Sequence, residues 1–323
     1  MPCRIEQVAR VGHQMKCSAW VLDSGRPGPT VLITANIHGD EVTGLAALHA
    51  LQERLAGALR AGRVVGYPSL NPTGLRARTR TVAVGAVDLN RCFPGEEKKG
   101  GAHAFAAQVW AHMMDQRPDL LIDLHSDSML STPYVILDPA VRLSGSRRQQ
   151  MEAMLAGHAR ATGLMMVQDY EDEVYLSLGL ERSLTGAMVN HAGVPAMTLE
   201  VGPRRALDLP SVDLMSDAVL RVLAHNGVVE RLPHSTSASG AGDDLWRRTP
   251  APRPTTSGLL VPCVKPGNAF EEGEPLAEVR DVLGGVREVL RAPGPGRVVT
   301  WTPLAWVEPR DSVGMLGLAE GHG

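Results

Sequence analysis

Thr30-Val31-Leu32-Ile33-Thr34-Ala35-Asn36-Ile37-His38-Gly39-Asp40-Glu41 is the stretch that decides how this chain folds. Its first eight residues form a β-branched, apolar run set between Gly28-Pro29 and Gly39, the pattern of a buried strand with turn signals at both ends. The period then changes. Leu45, Leu48, Leu51, Leu55 and Leu59 recur every three or four residues and predict one apolar helix face. His38 and Glu41 are therefore delivered to a strand-to-helix turn.

Outward from this unit the alternation continues. Residues 63–70 read as a strand closed by Asn71-Pro72, 104–114 as a helix and 119–125 as a strand. Residues 150–164 and 183–191 read as helical, 194–201 as a strand and 212–223 as a helix. Strands alternating with helices predict an α/β domain over residues 1–230, a mixed, mostly parallel sheet with helices on both faces. Ligands in such sheets gather beyond the carboxyl ends of the strands. His38, His125 and Glu200 all lie at or just past such ends, which points to one shared site.

Past residue 230 the texture shifts. Residues 231–257 read as linker, with Ser, Ala and Gly over 233–242 and Pro and Thr from 249. Residues 258–323 have short Val and Leu runs broken by Pro-Gly, Gly-Gly and Gly-Pro, the pattern of a small all-β domain. With only 4% aromatic residues among 44% hydrophobic ones, the core must be built mostly from Leu, Val, Ala and Met.

Several function classes are excluded. A net charge of −3 lacks the electrostatic footprint of a nucleic-acid binder. No apolar run approaches the length of a membrane span, and Met1-Pro2-Cys3-Arg4-Ile5-Glu6 has no signal-peptide apolar region. Cys3, Cys17, Cys92 and Cys263 are scattered without a CxxC pair, as in a reduced, cytoplasmic protein.

Catalytic zinc is commonly held by three protein ligands, two His and a Glu among them, with a fourth position open to water. His38-x-x-Glu41 supplies two ligands and His125 a third. Zinc so held lowers the pKa of its water to about 7, and a carboxylate must then move that water's proton, for which Glu200 is the candidate. Each of these residues alone reads as an ordinary structural His or Glu, and the argument rests on their combination at strand ends. Asn71 to Arg80 and Asp88 to Gly95 are rich in arginine, whose forks bind carboxylates and stabilise oxyanions. Asp88 is placed to orient a metal-bound imidazole. Ser126 and Ser128 beside His125 admit a serine-hydrolase reading, but there is no GxSxG elbow; HExxH, a Walker loop and GxGxxG are also missing.

Together, NIHGDE (36–41), NP (71–72), DLNR-x-FPG (88–95), DLH (123–125) and LEVG (199–202) resemble the succinylglutamate desuccinylase/aspartoacylase family, relatives of the zinc carboxypeptidases, over roughly residues 18–225. The resemblance implies His38, Glu41 and His125 as ligands of one Zn²⁺ per chain and Glu200 as general base and acid. It also implies Arg80 as the arginine that polarises the scissile carbonyl, Asn90 and Arg91 as the grip on a substrate carboxylate, and Asp88 as partner of the first zinc histidine. Arg76 and Arg78 compete with Arg80 for its role. Ser126-Asp127-Ser128-Met129 departs from the family's Thr/Ser-Gly pattern, which leaves substrate preference open. The loop 168–180, with Asp169, Glu171, Asp172 and Glu173, suggests selection of a second amine on the substrate. The tail from Gly258 resembles biotinyl and lipoyl barrel-sandwich modules, yet its turn Val279-Arg280-Asp281-Val282-Leu283-Gly284 has no lysine. It is therefore read as structural or oligomer-forming.

The expected activity is zinc-dependent hydrolysis of the amide of an N-acyl amino acid or related N-acylated small amine. The alternatives are a metallocarboxypeptidase acting on a short peptide and a non-catalytic zinc-binding scaffold. The expected partner is the small-molecule substrate, with no nucleic acid or membrane, in a chain compatible with a homo-oligomer.

Overall fold

A computed structural model describes residues 3–13, 15–83, 85–230 and 244–319. The chain opens with β1 (Arg4–Val11) and β2 (Met15–Asp23), followed by β3 (Thr30–Ala35), α1 (Thr43–Leu55), β4 (Arg63–Tyr67), α2 (Pro72–Ala77) and α3 (Gly101–Asp115). Next come β5 (Leu120–Asp127), β6 (Tyr134–Leu137), α4 (Gly145–Thr162), β7 (Met165–Gln168), α5 (Asp172–Ser177), α6 (Leu184–Ala187), β8 (Ala196–Pro203) and α7 (Leu209–His225). The remainder is all β: β9 (Leu245–Pro250), β10 (Gly258–Pro262), β11 (Ala269–Phe270), β12 (Pro275–Arg280), β13 (Val286–Arg291), β14 (Gly296–Trp301), β15 (Trp306–Val307) and β16 (Gly314–Leu318).

Among the described residues the main sheet has the order β1-β2-β4-β3-β5-β8-β6-β7-β9-β16-β14-β11. Its centre, β4-β3-β5-β8, is parallel, whereas β6 runs antiparallel to β8. The sheet is therefore mixed. Helices cover both faces. Gly44 of α1 packs so tightly on Leu124 of β5 that a Cβ there would lie 2.7 Å from the Leu124 Cβ. Thr185 of α6 meets Thr198 of β8, whose register partner is Asp123. Neighbouring residues on a strand point to opposite faces, so α1 and α6 lie on opposite sides.

Several details differ from the sequence reading. The strand read over 63–70 ends at Tyr67, because Pro68 cannot donate to a ladder. The helix read over 183–191 is α6 followed by a π-helical turn, Met188–Ala192. The short strands β6 and β7 are fully or largely buried and carry no alternation that would betray them. The linker expected over 231–257 is not linker over Leu245–Pro250. That segment is β9, parallel to β7 and antiparallel to β16, so it welds the C-terminal module onto the sheet. Its polar Arg247-Arg248-Thr249 reads as loop because the arginines find partners across the molecule rather than along the strand. Of the remaining residues read as linker, 231–243 lie outside the described residues, and 251–257 form neither helix nor strand.

The C-terminal module adds a second sheet, β13-β12-β10-β15, and has its own core around Leu276, Val279, Val298, Trp301 and Leu316. The β12–β13 turn exposes Val282 and Leu283, and Asp281 at its base accepts from the Leu283 and Gly285 amides.

Candidate metal centre and active site

Asn36 builds the turn that carries the first two candidate ligands. It sits at φ 55°, a left-handed conformation that Asn tolerates better than most residues. Its Nδ2 donates to the carbonyls of His38, Gly39 and Glu41 at 3.0, 3.2 and 2.9 Å, while Ser69 Oγ donates to its Oδ1 at 2.7 Å. The backbone after β3 is thereby coiled back on itself, with His38 and Glu41 both buried.

His38 Nδ1 lies 2.8 Å from Glu41 Oε1, and His125 Nδ1 lies 2.9 Å from Glu41 Oε2. The three ligand atoms fall within 4.8 Å of one another, the one such group among the described residues. Each imidazole turns its other nitrogen to a carboxylate. His125 Nε2 is 2.9 Å from Asp123 Oδ2, and Asp123 Oδ1 accepts from Thr34 Oγ1 at 2.6 Å across the β3–β5 register. His38 Nε2 is 3.4 Å from Asp88 Oδ1, ion-pair range without hydrogen-bond geometry. Carboxylates behind both imidazoles, with the facing nitrogens and a Glu converging in front, are the donor set and support of a divalent transition-metal site.

Electrostatics follow from burial. Burial alone would raise Glu41, but His38 and His125 hold it well below the carboxylate range. Burial disfavours charge on His125, and Asp123 and Glu41 overcome it and raise the imidazole well above its usual value. Asp88 is held low against burial by His38, Arg80 and Arg91.

Glu200 stands beside His125 in register on the parallel neighbour β8, which places their backbones about 4.8 Å apart. Its Oε2 is buried without a hydrogen-bond partner. Burial, with Glu41 and Asp127 adding to it and His125 opposing, pushes its carboxyl up to about 8.

A cavity of about 410 Å³ opens over these groups and is lined by His38, Glu41, His125, Glu200, Arg80, Asn90 and Arg91 together. Arg80 Nε donates to Asp88 Oδ2 at 3.1 Å, and its Nη1 lies 3.3 Å from His38 Nδ1. Arg76 and Arg78 are exposed and outside the cavity. Asn90 Oδ1 accepts from the Leu184 amide at 2.8 Å, and Arg91 Nη1 donates to the Asn90 carbonyl at 2.7 Å.

Residues 27–226 match the succinylglutamate desuccinylase/aspartoacylase catalytic domain. The chain belongs to that family. A curated relative, the N-alpha-acetyl-L-2,4-diaminobutyric acid deacetylase of Halomonas elongata, is 26% identical over 256 residues, covering 79% of this chain and 71% of its own. The crystal structure of succinylglutamate desuccinylase/aspartoacylase from Rhodobacter sphaeroides superposes with a TM-score of 0.78 at 22% identity, covering 98% of this chain and 95% of that one. A metallo-carboxypeptidase from Burkholderia cenocepacia shares the fold more distantly, with a TM-score of 0.54 at 17% identity over 70% and 65% of the two chains. Like the Rhodobacter family member, this chain carries the fold over nearly its full length, C-terminal module included.

Four side chains of the cavity escape the motif reading. Tyr134 donates to Asp127 Oδ2 at 3.0 Å, and Arg204 Nη2 lies 3.5 Å from Asp127 Oδ1. Arg204 stands two residues past the LEVG motif and could have been suspected. Arg248 donates to Asp169 Oδ1 at 3.0 Å from a strand read as linker. Asp138 follows β6, a four-residue strand whose only marker is Pro139. Of the loop acids expected to select an amine, Glu171 pairs with Arg247 and Asp172 with Arg148 outside the cavity, and Asp169 is engaged by Arg248.

Proposed function

We propose that this family member is a zinc-dependent deacylase that hydrolyses the amide of an N-acyl amino acid or related N-acylated small amine. One relationship carries the reading: an unpartnered Glu200 carboxylate oxygen beside a buried His38–Glu41–His125 ligand set in one cavity. The family match and the deacetylase relative support deacylation, and the two imidazoles with one carboxylate favour Zn²⁺.

His38, Glu41 and His125 would hold the ion, which when bound supplies a Lewis acid and a water of lowered pKa. Glu200, its Oε2 free of any hydrogen bond, takes a proton from the attacking water and returns it to the leaving amine. Arg80, fixed by Asp88, points a guanidinium at the carbonyl oxygen as it gains charge. Asn90 and Arg91 hold the substrate carboxylate, the Asn90 side chain being locked by the Leu184 amide. Asp88 and Asp123 orient the imidazoles.

The test is Glu200→Gln in zinc-loaded protein, assayed against a panel of N-acetyl amino acids and free dipeptides. The variant should keep one zinc per chain and lose most turnover. Wild-type kcat in Glu200→Gln would overturn the role of Glu200. Wild-type hydrolysis of dipeptides, with N-acetyl amino acids untouched, would select the metallocarboxypeptidase reading that the carboxypeptidase-like fold also allows.

A further inference from the structure

Alternate residues of β6 and β8 project from one face of the sheet. The register sets Tyr134 against Glu200 and Ile136 against Thr198, and the next position of this series beyond β6 is Asp138. All five side chains line the same cavity. The cavity is therefore a trough that runs down the sheet from the metal centre and reaches Asp138 about 13 Å along the strand from the level of Glu200.

Asp138 is 3% exposed. Its Oδ1 accepts from Tyr175 Oη at 2.7 Å, but its Oδ2 is buried without a hydrogen-bond partner. The Thr185 hydroxyl beside it makes a 3.2 Å contact with Thr198. The other charges at this end of the trough have partners. Asp169 Oδ1 accepts from Arg248 Nη1 at 3.0 Å and from the Tyr170 amide at 2.8 Å. Arg91, within electrostatic reach of Asp169 and Arg248, is the cation assigned to the substrate carboxylate. A buried carboxylate oxygen left unmatched is costly, and the Asp138 side chain borders the cavity that a substrate would fill.

We propose that Asp138 receives the ammonium of a second, side-chain amine, so that the preferred substrates are N-acyl diamino acids. The inference rests on the deacylase reading and adds a specificity residue to it. One free carboxylate oxygen with a neighbouring hydroxyl suits a hydrogen-bonding ammonium, whereas a hard metal ion demands many more oxygens. Burial and the nearby Asp169 push the Asp138 carboxyl up to about 7, and an ammonium at Oδ2 would draw it back down.

The experiment compares zinc-loaded wild type and Asp138→Asn on Nα-acetyl derivatives in matched pairs: diaminobutyrate with 2-aminobutyrate, ornithine with norvaline, lysine with norleucine. In wild type the best cationic substrate should exceed its uncharged counterpart at least tenfold in kcat/KM, mainly through KM, and in Asp138→Asn that ratio should collapse towards one. A wild type without preference for any cationic member overturns the proposal, as does a variant that keeps the preference. Binding of the free products to wild type, measured by calorimetry, needs neither turnover nor a folded variant. If no N-acyl amino acid is hydrolysed, the deacylase reading fails, and tighter binding of diamino acids than of their counterparts still upholds the Asp138 site. Equal binding removes it.

Discussion

Gly39 lies so close to Gly74 that a Cβ on Gly39 would fall 2.0 Å from the Gly74 carbonyl carbon. The loop holding His38 and Glu41 and the segment leading to Arg80 are thus pressed backbone to backbone, and the Gly39 amide donates to the Arg80 carbonyl at 3.4 Å. Asn71 completes the clamp, with Nδ2 donating to the carbonyls of Ile37 and Arg80 at 3.2 and 3.3 Å. The candidate metal ligands and the Arg80 guanidinium are positioned as one unit.

Gly39→Ala should therefore separate the two loops. Overpacking typically costs about 1–3 kcal/mol, and with backbone as the obstacle a loss at or above that range is expected. Zinc content per chain should fall with it, and metal analysis alongside thermal unfolding checks both. Full zinc occupancy at an unchanged Tm would mean that the clamp does not position the ligands.

Asp123→Asn should weaken metal binding without removing a ligand. Asp123 holds His125 Nε2 at 2.9 Å and is itself fixed by Thr34. Loss of such a supporting carboxylate costs roughly 10–100-fold in metal affinity or activity. Competition with a zinc chelator measures the change, and an affinity equal to wild type would leave Asp123 a purely structural residue.

The two arginines should separate kinetically. Arg80→Ala is expected to lower kcat by about 10²–10³, the usual cost of one donor to a developing oxyanion, with KM little changed. Arg91→Ala should instead raise KM, and only for substrates with a free carboxylate. An equal effect of Arg91→Ala on the corresponding amides would contradict the clamp.

Asp138 also makes a stability prediction for the substrate-free protein. Its folded pKa, about 7, lies above the ordinary 3.8, so the folded state binds this proton more tightly than the unfolded one. The stability it contributes is present below the unfolded value and is lost as pH rises through the folded one. The groups facing it are Asp169 and Arg248, with the hydroxyls of Tyr175 and Thr185. Asp138→Asn should consequently raise Tm relative to wild type near about pH 8, and the difference should shrink towards about pH 5. A pH-independent difference would show that Asp138 does not titrate as described.

The candidate ligands His38, Glu41 and His125, and Glu200 beside them, were legible in the sequence because each sits where a strand gives way to a loop, and strands and turns are written in local residue periodicity. The parallel core, the helices α1, α3, α4 and α7, and the all-β character of the tail follow from the same local patterns. Asp138, Arg248 and Tyr134 could not be found that way, and Arg204 only through its place two residues past the LEVG motif. Their meaning depends on which strands become neighbours.

Local chemistry along the chain thus determined that a His–Glu turn, a strand-end His and a strand-end Glu exist to be brought together. Only the tertiary structure decided that β9 would join the sheet and carry Arg248 to Asp169, and that Asp138 would share a wall with Glu200. The reason is physical: side-chain direction within one strand repeats every two residues and can be read in order. The order and register of strands distant in sequence are set by long-range hydrogen bonding and core packing, which leave no mark on the few residues involved.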